Sequence, residues 1–526
     1  MNKRGCAGAA AIVTVAAVCA AMVASGPAAR AGGVPGLGGG FLPGNLVVSE
    51  SFYGGNPGIV AGKTQLPPGC TTGCVTATAG SAYPQVFNNA LADPNFGVTS
   101  RIFLEQLMPA GRPLGTVAVP GNRLVTSFSS KSELALNLSP DGRTLSFMGY
   151  AARPDQVDVS NSNTPGVVDP TDPVPGAFYR AAAQLSGDGR IRVTKTNAYS
   201  GNNGRAAITA EAGGKQLIYT TGNAGNGSSP QPDGVILGAG AQLITPGAAP
   251  GMPTPVGSFN ITELGDKADK IGKDDNFRGL TIFNNVLYYT KGSGGNGVNT
   301  VYFLDTTGKA CPNGVGLPAA GASLPATPLS YDPATLQANG LPSNMCVLKG
   351  FPTALKSATS FPFGLWFANA DTLYVADEGN DTTTFSGGTY TAAAAQTTAG
   401  LQKWVFDGTG WKLAYTLQAG LDLGQPYTVR GYPTGDNAAT GLPWAPATDG
   451  LRNIGGRVNT DGTATIWAVT STVSGGGDQG ADPNKLVAIT DPLTATAPGA
   501  GESFRTVETA RFAEVLRGVS FTPGTR

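Results

Sequence analysis

The sequence predicts an all-β chain folded as a single seven-bladed β-propeller, closed by strands from its two ends that share one blade. Three observations predict it: a recurring strand motif, a second strand after most copies, and terminal strands that complete each other. In the motif a residue, most often Arg, precedes a small residue and an alternating apolar strand. It recurs at Arg205-Ala-Ala-Ile-Thr, Arg278-Gly-Leu-Thr-Ile-Phe, Phe363-Gly-Leu-Trp-Phe, Arg452-Asn-Ile-Gly-Gly and Arg517-Gly-Val-Ser-Phe, with a weaker copy at Glu133-Leu-Ala-Leu-Asn-Leu. Second strands follow at Thr144-Leu-Ser-Phe-Met, Gln216-Leu-Ile-Tyr-Thr, Val286-Leu-Tyr-Tyr-Thr, Thr372-Leu-Tyr-Val-Ala and Thr465-Ile-Trp-Ala-Val.

Third and fourth strands are clearest as hairpins. Gly400 to Phe406 meets Trp411 to Leu417 across Asp407-Gly-Thr-Gly410, and Tyr179 to Leu185 meets Arg190 to Lys195 across Ser186-Gly-Asp-Gly189. Four strands repeated every ~70 residues fit a propeller better than a sandwich. The last copy, Arg517 to Thr522, stands alone, and the strand Leu46-Val-Val-Ser-Glu-Ser lacks a first strand. Pairing them, with Arg101 to Leu107 and Leu114 to Val119 outside, gives a composite closing blade of 46–119 plus 517–522. Long loop insertions fall near 54–99, 153–177, 310–345 and 420–450.

The first residues are basic and lead into an Ala/Val-rich run that breaks at Ser25-Gly-Pro27, with a small-x-small pattern at Ala29-Arg30-Ala31. This is the layout of a secretory signal peptide, 1–31, followed by one propeller domain, 32–526, in a secreted or periplasmic protein. No later run is long and apolar enough to span a bilayer, so no membrane span is expected in the mature chain. Removing Lys3, Arg4 and Arg30 from 34 basic residues leaves 31 against 34 acidic ones, a net charge of −3. A chain with 13% charged residues and this balance lacks the basic footprint of a nucleic-acid binder.

There is no histidine. That excludes Ser-His-Asp and Cys-His nucleophiles, His-ligated zinc or copper, and haem on a proximal histidine. Any catalysis must use carboxylates, Lys, Arg, Tyr or a hard ion such as calcium, and no cofactor is required by the sequence. The mature cysteines, Cys70, Cys74, Cys311 and Cys346, form an even set that suggests two disulfides in an exported protein. Of the three pairings, Cys70 with Cys74 and Cys311 with Cys346 are favoured, the second bridging a third and a fourth strand across a Pro/Ala/Gly-rich excursion.

Ser139-Pro-Asp-Gly-Arg-Thr-Leu145 and Leu373-Tyr-Val-Ala-Asp-Glu378 resemble segments of secreted propellers of the YVTN and NHL-like kinds. The second string is also similar to strands of phytase-like and lactonase-like propellers. The resemblance implies fold; function lives in the site built on it, and no catalytic residue is carried over.

The motif residues share one register, so Arg205, Arg278, Arg452 and Arg517, with Glu133 and Phe363 in the remaining places, should converge at one mouth of the channel. A ring of guanidiniums suits an anionic small molecule, a glycan or a polymer. The alternative is that each Arg pairs with a carboxylate of a neighbouring blade and knits the channel. Asp275, Asp377, Glu378 and Glu50 occupy the same loops. Asp377, Glu378 and Asp381 are candidate calcium ligands, although Asp377-Glu-Gly-Asn-Asp381 lacks the spacing of an EF-hand loop. Gly292 to Gly297 reads as a strand connection, because no nucleotide-binding helix follows. Two function classes stay open: a binding or scaffold protein, and a carboxylate- or calcium-dependent hydrolase, lactonase or phosphoesterase.

Overall fold

The computed structural model describes residues 40–526 except 54–64, 67–74, 77–98, 128–133, 155, 157–158, 161, 168–175, 226–235, 268–273, 293–296, 331–342, 356–359, 438–439 and 477–481. The leader at 1–31, the Cys70 and Cys74 pair, and Glu133 lie outside the described residues. Most described strands assemble into six sheets of four or five strands, antiparallel except for one edge strand in blade 4, with three two-stranded pairs outside them. Blade 1 runs Glu514–Phe521, Leu46–Phe52, Thr99–Leu107 and Pro113–Ala118; blade 2 runs Asn137–Leu138, Thr144–Tyr150, Arg180–Ser186 and Ile191–Thr196. Blade 3 is Gly204–Ala212, Lys215–Gly222, Ala241–Ile244 and Pro255–Gly257. Blade 4 is Leu280–Phe283, Val286–Lys291, Thr300–Leu304 and Met345–Leu348, with Val315–Gly316 added in parallel at its edge. Blade 5 is Pro362–Asn369, Thr372–Asp377, Gly400–Phe406 and Trp411–Leu417, and blade 6 is Ala447–Val458, Thr463–Val473, Lys485–Pro492 and Arg505–Thr509.

The expectation of seven blades is therefore wrong; there are six. First strands of successive blades touch one another from blade 1 through blade 6 and back to blade 1, so the ring is closed. The miscount has a definite source. The Arg517 copy is itself the first strand of the composite blade, and counting that blade in addition to the six motif copies enters it twice. The closure is otherwise the expected one: Leu46 to Phe52 pairs antiparallel with Glu514 to Phe521 on one side and with Arg101 to Leu107 on the other.

Crowding around the channel explains the small residue that follows the motif position. A Cβ at Gly279 would overlap the carbonyl oxygen of Phe363 in blade 5, and one at Gly518 would overlap the carbonyl of Leu134 near blade 2. At the same position in blade 6 stands Asn453, whose Oδ1 accepts from Val519 N at 2.7 Å and Leu136 N at 3.3 Å, tying blades 6, 1 and 2 together. Apolar faces pack blade against blade, as with Leu401, Leu417, Ile466 and Ile489 between blades 5 and 6, and Val47, Leu104, Phe147 and Leu185 between blades 1 and 2.

Cys311 and Cys346 are bonded, with Cα atoms 5.6 Å apart and 35 positions apart in sequence. Cys346 sits in the fourth strand of blade 4, which pairs with Thr300–Leu304. The bridge closes a long excursion and contributes about 2–4 kcal/mol by restricting the unfolded chain.

Candidate functional site at the channel mouth

Four motif residues occupy β-bulges. In blade 3 the pairing steps from Gly204 to Ala206 and skips Arg205; in blade 5 it skips Phe363; in blade 6 it skips Arg452 and Asn453; in blade 1 it skips Arg517. A bulge re-aims a side chain out of the ladder. In blade 4, Arg278 stands just ahead of Leu280–Phe283, its N–H donating to Thr290 O at 2.7 Å.

Three blades meet on one carboxylate. Glu378, which follows the second strand of blade 5, lies 2.8 Å from Arg278 Nη1 and 3.2 Å from Arg452 Nε, and all three residues are buried. Phe363, the blade-5 replacement for arginine, lies beneath the Arg278 guanidinium, 5.6 Å from ring centroid to Cζ. Blade 5 thus supplies an anion and an aromatic face where its neighbours supply cations. Burial lowers the Arg278 pKa, and the Glu378 charge opposes that shift.

Arg205 is held by amide oxygens: its Nε donates to Asn203 Oδ1 at 2.7 Å and its Nη1 to Asn276 Oδ1. Arg517 is buried in the first strand of blade 1. Arg278 and Arg452 are thus brought together directly, Arg205 reaches the Asn276 loop two residues ahead of Arg278, and Glu133 is outside the described residues.

The acidic candidates have separate tasks. Asp377 Oδ2 accepts from Phe361 N at 2.8 Å, Ser360 Oγ at 2.9 Å and Gln402 Nε2 at 3.2 Å, and its Oδ1 accepts from Gly379 N at 3.0 Å. Burial raises its pKa despite these donors. Asp275 is likewise raised by burial while accepting from Phe259 N at 2.7 Å. Asp381, in the left-handed region at φ 64°, donates its N–H to Asp449 Oδ2 at 2.9 Å. The donors on Asp377 and the arginines on Glu378 occupy oxygens that calcium would need, so this set fits N–H groups and guanidiniums. Among the described residues, the carboxylates close enough to share one cation are Glu50, Glu105 and Glu508, between blades 1 and 6.

Two carboxyls escaped the sequence reading. Asp449 is buried beside Glu378 and Asp381; its Oδ1 accepts from Gln396 Nε2 at 2.6 Å, and burial followed by the Asp381 charge pushes it up to about 7. Gly379 makes room for it: a Cβ there would overlap Asp449 Oδ2, and its φ of 85° suits glycine. Asp482 accepts from Tyr432 OH at 2.7 Å, Ser474 Oγ at 2.9 Å and Thr472 Oγ1 at 3.2 Å, and burial pushes it up to about 6. The signal for Asp449 was present. A polar residue stands three positions before every described motif residue: Asn202, Asp275, Ser360, Asp449 and Glu514.

No family model matches the chain, and no curated protein matches it. Among solved structures it is similar to a variant of the Synechocystis apocarotenoid oxygenase, at 10% identity and a TM-score of 0.30, covering 80% of this chain and 72% of that one. It is also similar to a GH43 β-xylosidase/α-arabinofuranosidase from a compost microbial metagenome, at 10% identity and a TM-score of 0.28, covering 71% of this chain and 93% of that one. Likeness at this level carries no argument about chemistry. Among the described residues no helix is long and apolar enough to cross a membrane.

Proposed function

We propose that the chain is an exported binding or scaffold propeller, of the secreted YVTN and NHL-like kind, that takes an anionic small molecule, glycan or polymer at the mouth of its channel. The observation supporting this is the convergence of two guanidiniums from different blades on one point, Glu378, whose carboxylate an incoming anion must share or displace. A carboxylate, phosphate or sulfate brought to this level meets preorganised donors in a poorly solvated setting, where charge-assisted hydrogen bonds are strong. Asp449 and Asp482 tune it. Both lose their charge as pH falls through about 7 and about 6, so the mouth grows more positive and anion binding strengthens toward pH 5.

The test is calorimetric titration of mixed anions into the wild type and the Arg278→Ala/Arg517→Ala double variant. Binding weakened by about 1.5–3 kcal/mol supports the reading. A lower melting temperature with unchanged anion affinity makes the arginines internal struts instead.

A second reading, a hydrolase working through carboxylates, is favoured by Asp449. A carboxyl poised near neutrality beside Asp381 is the arrangement that separates an acid from a base. Under this reading Asp449→Asn abolishes hydrolysis of ester, lactone, glycoside or phosphoester probes together with the limb of the pH profile near 7.

A further inference from the structure

A cavity of about 350 Å³ is lined by Arg101, Gly121, Asn122, Arg153 and Pro154. Topology places it on the loop face. Arg101 opens the third strand of blade 1 opposite Phe52, the end of the second; Arg153 follows the second strand of blade 2; and Gly121 and Asn122 lie in the crossover between these blades. The cavity therefore sits over the junction of blades 1 and 2, on the face where Glu378 emerges from blade 5.

Its cations differ from those of the mouth. Arg101 and Arg153 are exposed, and among the described residues neither guanidinium makes a hydrogen bond or an ion pair. Among the described residues no carboxylate lines the cavity. Its frame is fixed by backbone: Thr99 Oγ1 donates to Arg153 O at 2.6 Å, Thr99 N donates to Gln156 O at 2.9 Å, and Arg123 N donates to Pro120 O at 2.9 Å. Two arginines and an amide on a fixed frame, with Pro154 and Gly121 beside them in the described lining, offer many N–H donors and two positive charges to a single guest. Arginine's planar fork matches tetrahedral oxyanions in pairs of hydrogen bonds.

We propose that this pocket is a second anion site, taking a phosphate or sulfate group either free or borne on a saccharide. The volume exceeds that of a bare oxyanion and leaves space for part of the carrier. The proposal does not rest on the mouth, since neither arginine belongs to it.

Phenylglyoxal modification of exposed arginines, mapped by mass spectrometry on the full chain, reads the site directly. Inorganic phosphate, inorganic sulfate and a sulfated oligosaccharide are the three probes. At least one should slow modification of Arg101 and Arg153 severalfold while leaving exposed Arg190 unchanged. The probe effective at the lowest concentration identifies the carrier. In titrations, Arg101→Ala and Arg153→Ala should each weaken that probe by about 10-fold to 100-fold, without lowering the melting temperature. Protection of neither arginine by any probe, or undiminished affinity in the double variant, overturns the proposal, whatever Arg278→Ala/Arg517→Ala does.

Discussion

Arg278 and Arg101 carry the same guanidinium into opposite surroundings. At the inner ring, Arg278 is buried, shares Glu378 with Arg452 and lies over Phe363. On the rim, Arg101 is exposed beside Arg153, and among the described residues no carboxylate lines their cavity. The two settings separate charge that holds the fold from charge that faces solvent and a guest. A buried cation without its anion is costly, so the inner ring carries its own carboxylate; a solvated cation has no such requirement. The inner arginines thus contribute to stability whether or not they meet a ligand, whereas the rim arginines contribute almost nothing to it.

Four measurements test this contrast. Glu378→Ala strands two guanidiniums in a buried site, and urea unfolding should show a loss of about 3–5 kcal/mol. A loss below 1 kcal/mol would mean the inner ring is solvated and resembles the rim. Asp449 gives the next largest effect. Its folded pKa, about 7, lies above its ordinary value of 3.8, so its contribution is complete below the lower value and is lost as pH rises through the higher one. Stability of the wild type should therefore fall by on the order of 2–4 kcal/mol between pH 4 and pH 8 through this group, and Asp449→Asn should flatten that fall. An unchanged pH profile in the variant would remove Asp449 from the coupled set. Asn453→Ala leaves the Leu136 and Val519 N–H groups without their acceptor, and should cost about 1–3 kcal/mol, read as a drop in melting temperature. The smallest effect belongs to the rim: Arg101→Ala and Arg153→Ala should each stay within about 0.5 kcal/mol of wild type in the same unfolding assay. A larger loss would show that they brace the junction of blades 1 and 2.

The strand pattern was legible because it rests on local chemistry. Arg278-Gly-Leu-Thr-Ile-Phe and Thr372-Leu-Tyr-Val-Ala alternate as half-buried strands must, and the solitary Arg517 copy needed the partner that Leu46 to Ser51 provides. Cys311 and Cys346 were legible from their strand neighbours. The number of blades was not, since ring closure is a global property and the last copy could be entered twice. The bulges were hidden too: nothing in Arg205-Ala-Ala-Ile shows that the ladder skips Arg205. The rim pocket escaped because Arg101 and Arg153 are 52 positions apart and share no motif; only the packing of blade 1 against blade 2 places them on one cavity.

The closing blade has a consequence for how the molecule is made. Its axial strand, Glu514–Phe521, is synthesised after every other blade, and its partners at Leu46–Phe52 come from the opposite end of the chain. Gly44 N donates to Thr525 Oγ1 at 2.8 Å across 481 positions, and Thr522 Oγ1 donates to Leu42 O at 2.8 Å. Until those residues emerge, a growing chain holds a strand edge open at Leu46–Phe52, a template for mispairing, and leaves the flank of blade 6 uncovered. Pairings this distant in sequence form slowly. The ring is a clasp that fastens last, and a chain stopped short of Glu514 is an open chain whose unpaired edge invites aggregation.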